Sequence, residues 1–74
     1  MGDKIKSIIA SAMEVPLDSV SEYSSQDNTD NWDSLHHMSL VVALEKEFNI
    51  IIPDDDVPNM VNFKLIKFII NEQV

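Results

Sequence analysis

Ser34 is the residue of this 74-residue sequence whose type and position most readily support chemistry. It follows Asp33, a good N-cap residue, and it begins a predicted helix over residues 34–48. Backbone N–H groups at a helix start lack intrahelical partners and the helix dipole favours negative charge there, so this position would accommodate a phosphate on the Ser34 hydroxyl. An ordinary first-turn serine fits the same pattern, and these arguments leave both interpretations open.

Other candidate groups give weaker patterns. His36 and His37 point about 100° apart on a helix, so they do not suit one shared metal ion. We expect one at the surface and one at the core edge. The segment from Asp27 resembles the start of a calcium-binding loop, but it lacks the glycine at its sixth position and the glutamate at its twelfth. The acids at 54–56 are expected to be solvated, so no metal site is predicted.

Composition excludes several classes of function. The absence of cysteine rules out a disulfide framework, a thiolate metal site and a cysteine nucleophile. Thirteen acidic residues against five lysines give a net charge of −8, which repels nucleic acid and favours a partner with a basic surface. No apolar run is long enough to span a membrane, and the N-terminus lacks the apolar centre of a signal peptide. These features predict a cytoplasmic protein.

A length of 74 residues predicts a single domain over residues 1–74, and its hydrophobic periodicity predicts the helices. A first helix is indicated by apolar residues on one face, with Asp3 as its cap and Pro16 as its boundary. Residues 14–32 form a long polar connection, in which Leu17 to Val20 are predicted to make one helical turn. The face of the first helix consists of Ile5, Ile8, Ile9, Ala12 and Met13.

The second half of the chain completes the predicted fold. Asn49 is placed to end the helix over 34–48, and Ile50 to Ile52 are predicted to be an extended segment packed on the core. Residues 54–61 allow a short third helix, and Asn62 can cap a last helix from Phe63 to about Glu72. The expected fold is therefore all-α: a small antiparallel four-helix bundle of three longer helices and one short, with a long loop between helices 1 and 2.

The helix over residues 34–48 carries two apolar stripes. One is the expected core stripe, formed by Leu40, Val41, Leu44 and Phe48. The other, which we call the apolar stripe, consists of Leu35, Met38 and Val42, with Ser39, Lys46 and Asn49 beside it. Exposed apolar surface of this kind indicates docking, and methionine suits a surface that meets several partners. Alternatively, the 14–32 loop folds over the apolar stripe and buries it.

Three short segments of the chain follow one another at characteristic offsets. They are Asp33-Ser34-Leu35, then Leu44-Glu45-Lys46-Glu47-Phe48 at the end of the same helix, then Ile50-Ile51-Ile52-Pro53-Asp54. Together they resemble the acyl carrier protein family, which has a D-S-L attachment motif, an L-E-x-E-F helix end and an I-x-I-P-D/E turn. D-S-L alone recurs by chance, but the three motifs at these offsets in a short acidic chain are specific, and the resemblance covers essentially the whole chain.

The resemblance implies that a phosphopantetheinyl transferase moves 4′-phosphopantetheine from coenzyme A onto Ser34. The thiol of that arm would carry an acyl or related group as a thioester, so the protein would be a carrier and not an enzyme. Its partners would be acyl-loading, acyl-transfer or synthase enzymes with basic docking surfaces, and we expect a monomer. The implied motif and docking residues are Asp33, Leu35, Met38, Ser39, Val42, Asp54, Asp55 and Asp56.

Some residues differ from the members that serve fatty-acid synthesis. Asn31-Trp32 replaces a small glycine-containing lead into D-S-L, Ser39 stands where an acid is usual, and histidines follow Leu35. These differences favour a specialised pathway such as polyketide, aminoacyl or surface-polysaccharide acyl transfer. We expect Trp32 to pack under the second helix. The alternative function is an unmodified acidic adaptor that binds a partner only through the apolar stripe, and the need for Ser34 distinguishes the two.

Overall fold

Three α-helices form most of the protein in a computed structural model that describes residues 2–73. They are α1 (Gly2–Met13), α2 (Ser34–Phe48) and α3 (Phe63–Gln73), and a 3-10 turn lies in each connection, at Leu17–Ser19 and Val57–Asn59. Within the described residues no β-strand forms beyond one isolated bridge. The all-α prediction is confirmed, but the bundle has three α-helices where we expected four.

The predicted third helix over residues 54–61 is wrong. Helical structure there is limited to the Val57–Asn59 turn, with Pro58 in its first positions. Proline lacks an N–H and disfavours helical conformation at the residue before it, so a longer helix does not pass through this point. The segment is nevertheless anchored, because Met60 is fully buried just after the turn.

Two of the three predicted N-terminal helix caps are correct. Asp33 caps α2, and the Asn62 side chain accepts a hydrogen bond of 2.8 Å from the backbone N–H of Leu65 in α3. Asp3 does not cap α1, because the helix already includes Gly2 and Asp3 lies within its first turn. An acid in that turn still interacts favourably with the helix dipole.

The long connection between α1 and α2 is held against the start of α3. The backbone N–H of Phe63 donates to the carbonyl of Ser24 at 2.9 Å, and the N–H of Gln26 donates to the carbonyl of Val61 at 2.8 Å. Val20 adds an apolar anchor, since its side chain is buried in the core. These contacts satisfy backbone groups that a long loop would otherwise leave unpaired.

One core lies between the three helices. The core stripe of α2 is buried as predicted, with Phe48 partly buried at its end. Ile52 is also buried, but Ile51 is 82% exposed, so the prediction that the whole isoleucine run packs on the core is wrong at its middle residue. No helix within residues 2–73 has the length and apolar character needed to cross a bilayer. The fully buried side chains are Ile5, Ile9, Met13, Leu40, Leu44, Met60, Ile66 and Ile70.

Leu40→Ala and Leu35→Ala form a matched pair that tests the two faces of α2. Leu40 is fully buried while Leu35 is 76% exposed. We expect Leu40→Ala to lower the free energy of unfolding by about 2–5 kcal/mol, because it removes buried methyl groups and leaves a cavity. Leu35→Ala should change it by less than about 0.5 kcal/mol. Urea denaturation followed by circular dichroism measures both, and similar losses for the two variants would contradict the assignment of faces.

Candidate functional site

Ser34 is the first residue of α2 and its side chain is exposed. Asp33 precedes it in an extended backbone conformation, and the Asp33 carboxylate accepts a hydrogen bond of 2.9 Å from the backbone N–H of His36. The Asp33 carbonyl accepts another from the N–H of His37 at 2.8 Å. The cap therefore sets where α2 begins and leaves the Ser34 hydroxyl open to solvent at the helix terminus that favours negative charge.

Asn31 shapes the approach to this helix start. Its φ of 68° lies in the left-handed region, which asparagine tolerates better than most residues. Its side-chain amide donates a hydrogen bond of 2.9 Å to the carbonyl of Met13 at the end of α1, and its own carbonyl accepts one from the N–H of Asp33 at 2.8 Å. The family resemblance led us to expect a glycine in the segment before Asp33. Asn31 adopts the left-handed backbone conformation there and adds a hydrogen bond to α1.

His36 lies between two carboxylates. Its Nδ1 is 2.8 Å from Asp33 Oδ1 and its Nε2 is 3.1 Å from Glu14 Oε2. Hydrogen bonding to Asp33, and then to Glu14, raises the pKa of His36. Hydrogen bonds from the His36 backbone N–H and then from its ring lower the pKa of Asp33. Glu14 occupies a left-handed position directly after α1, so this contact joins the end of α1 to the start of α2.

His37 makes a different set of contacts. Its Nδ1 accepts a hydrogen bond of 2.9 Å from the indole N–H of Trp32, and its Nε2 lies 2.8 Å from the carbonyl of Val57. Trp32 is only 5% exposed and its ring stacks beside the imidazole, as expected from its predicted packing. No local sequence pattern indicates the Val57 contact, because the two residues are 20 positions apart.

A shallow groove of about 270 Å³ lies beside Ser34. One wall comes from α2, and the other comes from the connection between α2 and α3, next to the Val57–Asn59 turn. Its position gives a group attached to Ser34 a surface on which to lie. The lining residues are Gln26, Ser34, His37, Met38, Pro58 and Val61.

The apolar stripe is open to solvent, with Leu35, Met38 and Val42 exposed by 76%, 50% and 51% respectively. The alternative in which the long loop buries it is therefore wrong. The three residues line a wide depression of about 460 Å³ together with Ser39, Ala43 and Lys46. Apolar side chains that remain exposed in so small a protein are typical of an interaction surface.

The predicted acidic cluster lies directly before the Val57–Asn59 turn. Asp54 and Asp55 are exposed and Asp56 is half-buried. The turn contacts α2 through His37, and Pro58 shares the groove beside Ser34, so the segment that carries these acids is attached at the Ser34 end of α2. Asp56 itself lines a depression with Leu65 and Phe68 of α3. In the part of the chain that the structure describes, no group of acids and histidines has the arrangement of a metal site.

Replacing His36 should change stability in a pH-dependent way. The folded state raises the pKa of His36, so its protonated form stabilises the fold. That contribution is complete below the unfolded pKa of about 6.5 and is lost as the pH rises through the higher folded pKa. We expect His36→Gln to lower the free energy of unfolding in mildly acidic buffer and to leave it nearly unchanged well above the folded pKa, as measured by urea denaturation across pH.

Asp33→Asn is the matched control, because asparagine still caps the helix but carries no charge. The folded state lowers the pKa of Asp33, so the contribution of its carboxylate is present above the unfolded pKa and is lost as the pH falls through the lower folded pKa. In an Asp33→Asn background the pH dependence caused by His36→Gln should shrink. If His36→Gln lowered the free energy of unfolding by the same amount at every pH, that result would contradict the ion pair.

Comparison with known proteins finds similar proteins that share one name, although no model of a protein family matches the chain. An acyl carrier protein of Picosynechococcus is 49% identical over 53 residues, which are 72% of this chain and 65% of that protein, just under two thirds of its length. An acyl carrier protein of Thermosynechococcus vestitus is 32% identical over 97% of this chain and 89% of its own length. One of Cyanidium caldarium is 34% identical over 93% of this chain and 81% of its own length. Because two of these relatives are more than 30% identical to the chain over more than nine tenths of it, the chain belongs to the acyl carrier protein family.

Proposed function

We propose that this protein carries an acyl or related group as a thioester on a 4′-phosphopantetheine arm attached to Ser34, and presents that group to partner enzymes. The observation that carries the proposal is the exposed Ser34 hydroxyl at the capped start of α2, next to an open apolar stripe, in a member of the acyl carrier protein family. The arm supplies a thiol, which this cysteine-free chain does not contain.

The residues around Ser34 fit such a group. A phosphate on the hydroxyl would lie at a helix N-terminus, where the dipole and unpaired N–H groups favour negative charge. The hydroxyl oxygen would bond to the phosphorus that carries pantetheine in coenzyme A and give up its proton to a base of the transferase. The pyrophosphate P–O bond would break, with adenosine 3′,5′-bisphosphate as the leaving group. The role of Asp33 is to place the hydroxyl, since its carboxylate is already engaged by His36.

Partner enzymes are proposed to dock on the apolar stripe and on the acids at 54–56. The apolar side chains would supply most of the affinity, while the acids would steer a basic surface toward the Ser34 end of α2. We further propose a specialised pathway and not general fatty-acid synthesis. The reason is that Ser39 brings no charge to this face, and that His36 and His37 replace the usual residues after the motif.

Modification of Ser34 can be tested by intact-protein mass spectrometry. The protein is incubated with coenzyme A, magnesium and a broad-specificity phosphopantetheinyl transferase, beside a known carrier as positive control. We expect one phosphopantetheine on the wild type and none on Ser34→Ala. Ser7→Ala is the matched control, because Ser7 is an exposed serine on α1, outside the predicted docking residues, and its loss should leave modification intact.

The alternative adaptor function predicts a different result. An adaptor that binds only through the apolar stripe would remain unmodified while correctly folded, and Ser34→Ala would still bind its partner. Modification of Ser34→Ala, or no modification of wild type while the control carrier reacts, would count against the carrier proposal.

The docking surface can be tested with two exposed apolar residues. Met38→Glu places a charge in the middle of the apolar stripe, whereas Ile51→Glu places the same charge on a side chain outside it that is 82% exposed. We expect Met38→Glu to lower kcat/KM for modification by the transferase by about tenfold or more, as for a buried interface anchor, and Ile51→Glu to change it by less than about twofold. Equal changes in kcat/KM for the two variants would show that the apolar stripe is not part of the docking surface.

A further inference from the structure

The hydrogen bonds of His37 determine its protonation state. The Trp32 indole nitrogen is only a donor, so His37 Nδ1 must accept, at 2.9 Å. The Val57 carbonyl is only an acceptor, so His37 Nε2 must carry the hydrogen, at 2.8 Å. His37 is therefore a neutral imidazole in its Nε2–H tautomer, and both of its ring nitrogens are used.

This residue makes the polar link between α2 and the segment over residues 53–60. Within the described chain, the other hydrogen bonds of that segment are internal to it, such as Asp56 N–H to the Pro53 carbonyl and the Asn59 amide to the Asp55 carbonyl. The bond from His37 to Val57 is the one that leaves the segment. Trp32, buried in the core, holds the other side of the imidazole ring.

We propose that His37 is a positioning residue that holds the Val57–Asn59 turn, and with it the segment carrying the acids at 54–56, against α2 beside Ser34, and that it does so only as a neutral imidazole. Protonation would place an N–H on Nδ1 directly against the Trp32 indole N–H, two donors facing each other, and the Trp32 bond would break. The ring would then lose the orientation from which it reaches Val57. The consequence for docking rests on the proposed carrier function, whereas the linkage itself does not.

The charged groups around His37 do not offset this loss. Asp33 and His36 flank it at the start of α2, but Asp33 is paired with His36, and Glu14 at the end of α1 is paired with His36 as well. On the opposite segment Asp56 precedes Val57. Within residues 2–73 none of these carboxylates forms an ion pair with the His37 ring. The remaining walls of the groove are uncharged: Gln26, Ser34, Met38, Pro58 and Val61.

The linkage is tested directly with the protein alone. Trp32 is the only tryptophan, so its fluorescence and its indole N–H resonance report on this one contact. As the pH is lowered through the range where histidines change charge, both signals should shift in His36→Gln but not in the double variant His36→Gln/His37→Gln, which contains no histidine. Imidazole ¹⁵N shifts of His36→Gln should show a hydrogen on Nε2 of His37 above that range. A hydrogen on Nδ1 there, or a pH response retained in the double variant, would overturn the proposal.

Positioning is tested with two conservative variants. The amide of His37→Gln reaches the place of Nε2 and can donate to Val57, while that of His37→Asn reaches only the place of Nδ1 and can accept from Trp32. We expect His37→Asn to raise KM for the transferase about three- to tenfold with little change in kcat, and His37→Gln to keep KM near the wild-type value. A purely structural role would affect both variants alike.

The pH dependence of KM completes the test. The ratio of the variant KM to the wild-type KM at each pH cancels the effect of pH on the transferase itself. Wild-type KM should rise toward acid relative to His37→Gln. If no variant is modified at all, the carrier function fails while the spectroscopic result still decides the linkage. If modification proceeds with identical KM for wild type, His37→Asn and His37→Gln, the positioning role is wrong and the carrier function stands.

Discussion

The carboxylate of Asp33 fixes the start of α2, and the arrangement of the site depends on it. By accepting the backbone N–H of His36, Asp33 makes Ser34 the first helical residue and leaves the Ser34 hydroxyl outside the helix. A cap of this kind contributes about 1 kcal/mol. Its effect on position also matters, because Ser34 takes the first helical position, where its side chain lies at the helix terminus beside the groove.

The residues on either side of the cap keep it in register. Asn31 ties the backbone before it to the end of α1, Trp32 is buried beneath α2, and His36 joins Asp33 to Glu14. Adjacent histidines thus have opposite roles. The ring of His36 faces two carboxylates at the surface and favours its charged form, whereas the ring of His37 faces the core edge and uses both nitrogens as a neutral group.

The number of helices explains why α2 keeps an apolar surface in water. Its core stripe packs in the centre of the domain, and the two other α-helices together with the buried Met60 complete that core. Among the residues that the structure describes, no helix covers the apolar stripe. A domain of this size buries only about 60% of its unfolded surface, so three helices leave these apolar side chains of α2 in solvent, which fits the docking role proposed for them.

The sequence by itself determined the elements whose causes are local. The bounds of α2 over 34–48, its caps at Asp33 and Asn49, and the cap of α3 at Asn62 follow from helix periodicity and from side chains that act within a few residues of themselves. The same local pattern separated the buried face of α2 from its exposed one. The motif around Ser34 could also be recognised from the sequence, since it depends on short fixed spacings.

Tertiary structure decided what depends on residues far apart in the chain. The Asn31 bond to Met13 spans 18 positions and the His37 bond to Val57 spans 20, and no periodicity records either of them. The missing third helix and the exposed Ile51 have a related cause. Both belong to an irregular connection around two prolines, where packing on the rest of the molecule, and not helix propensity, sets the conformation. Local interactions act before the chain is folded, whereas these contacts exist only once the helices have come together.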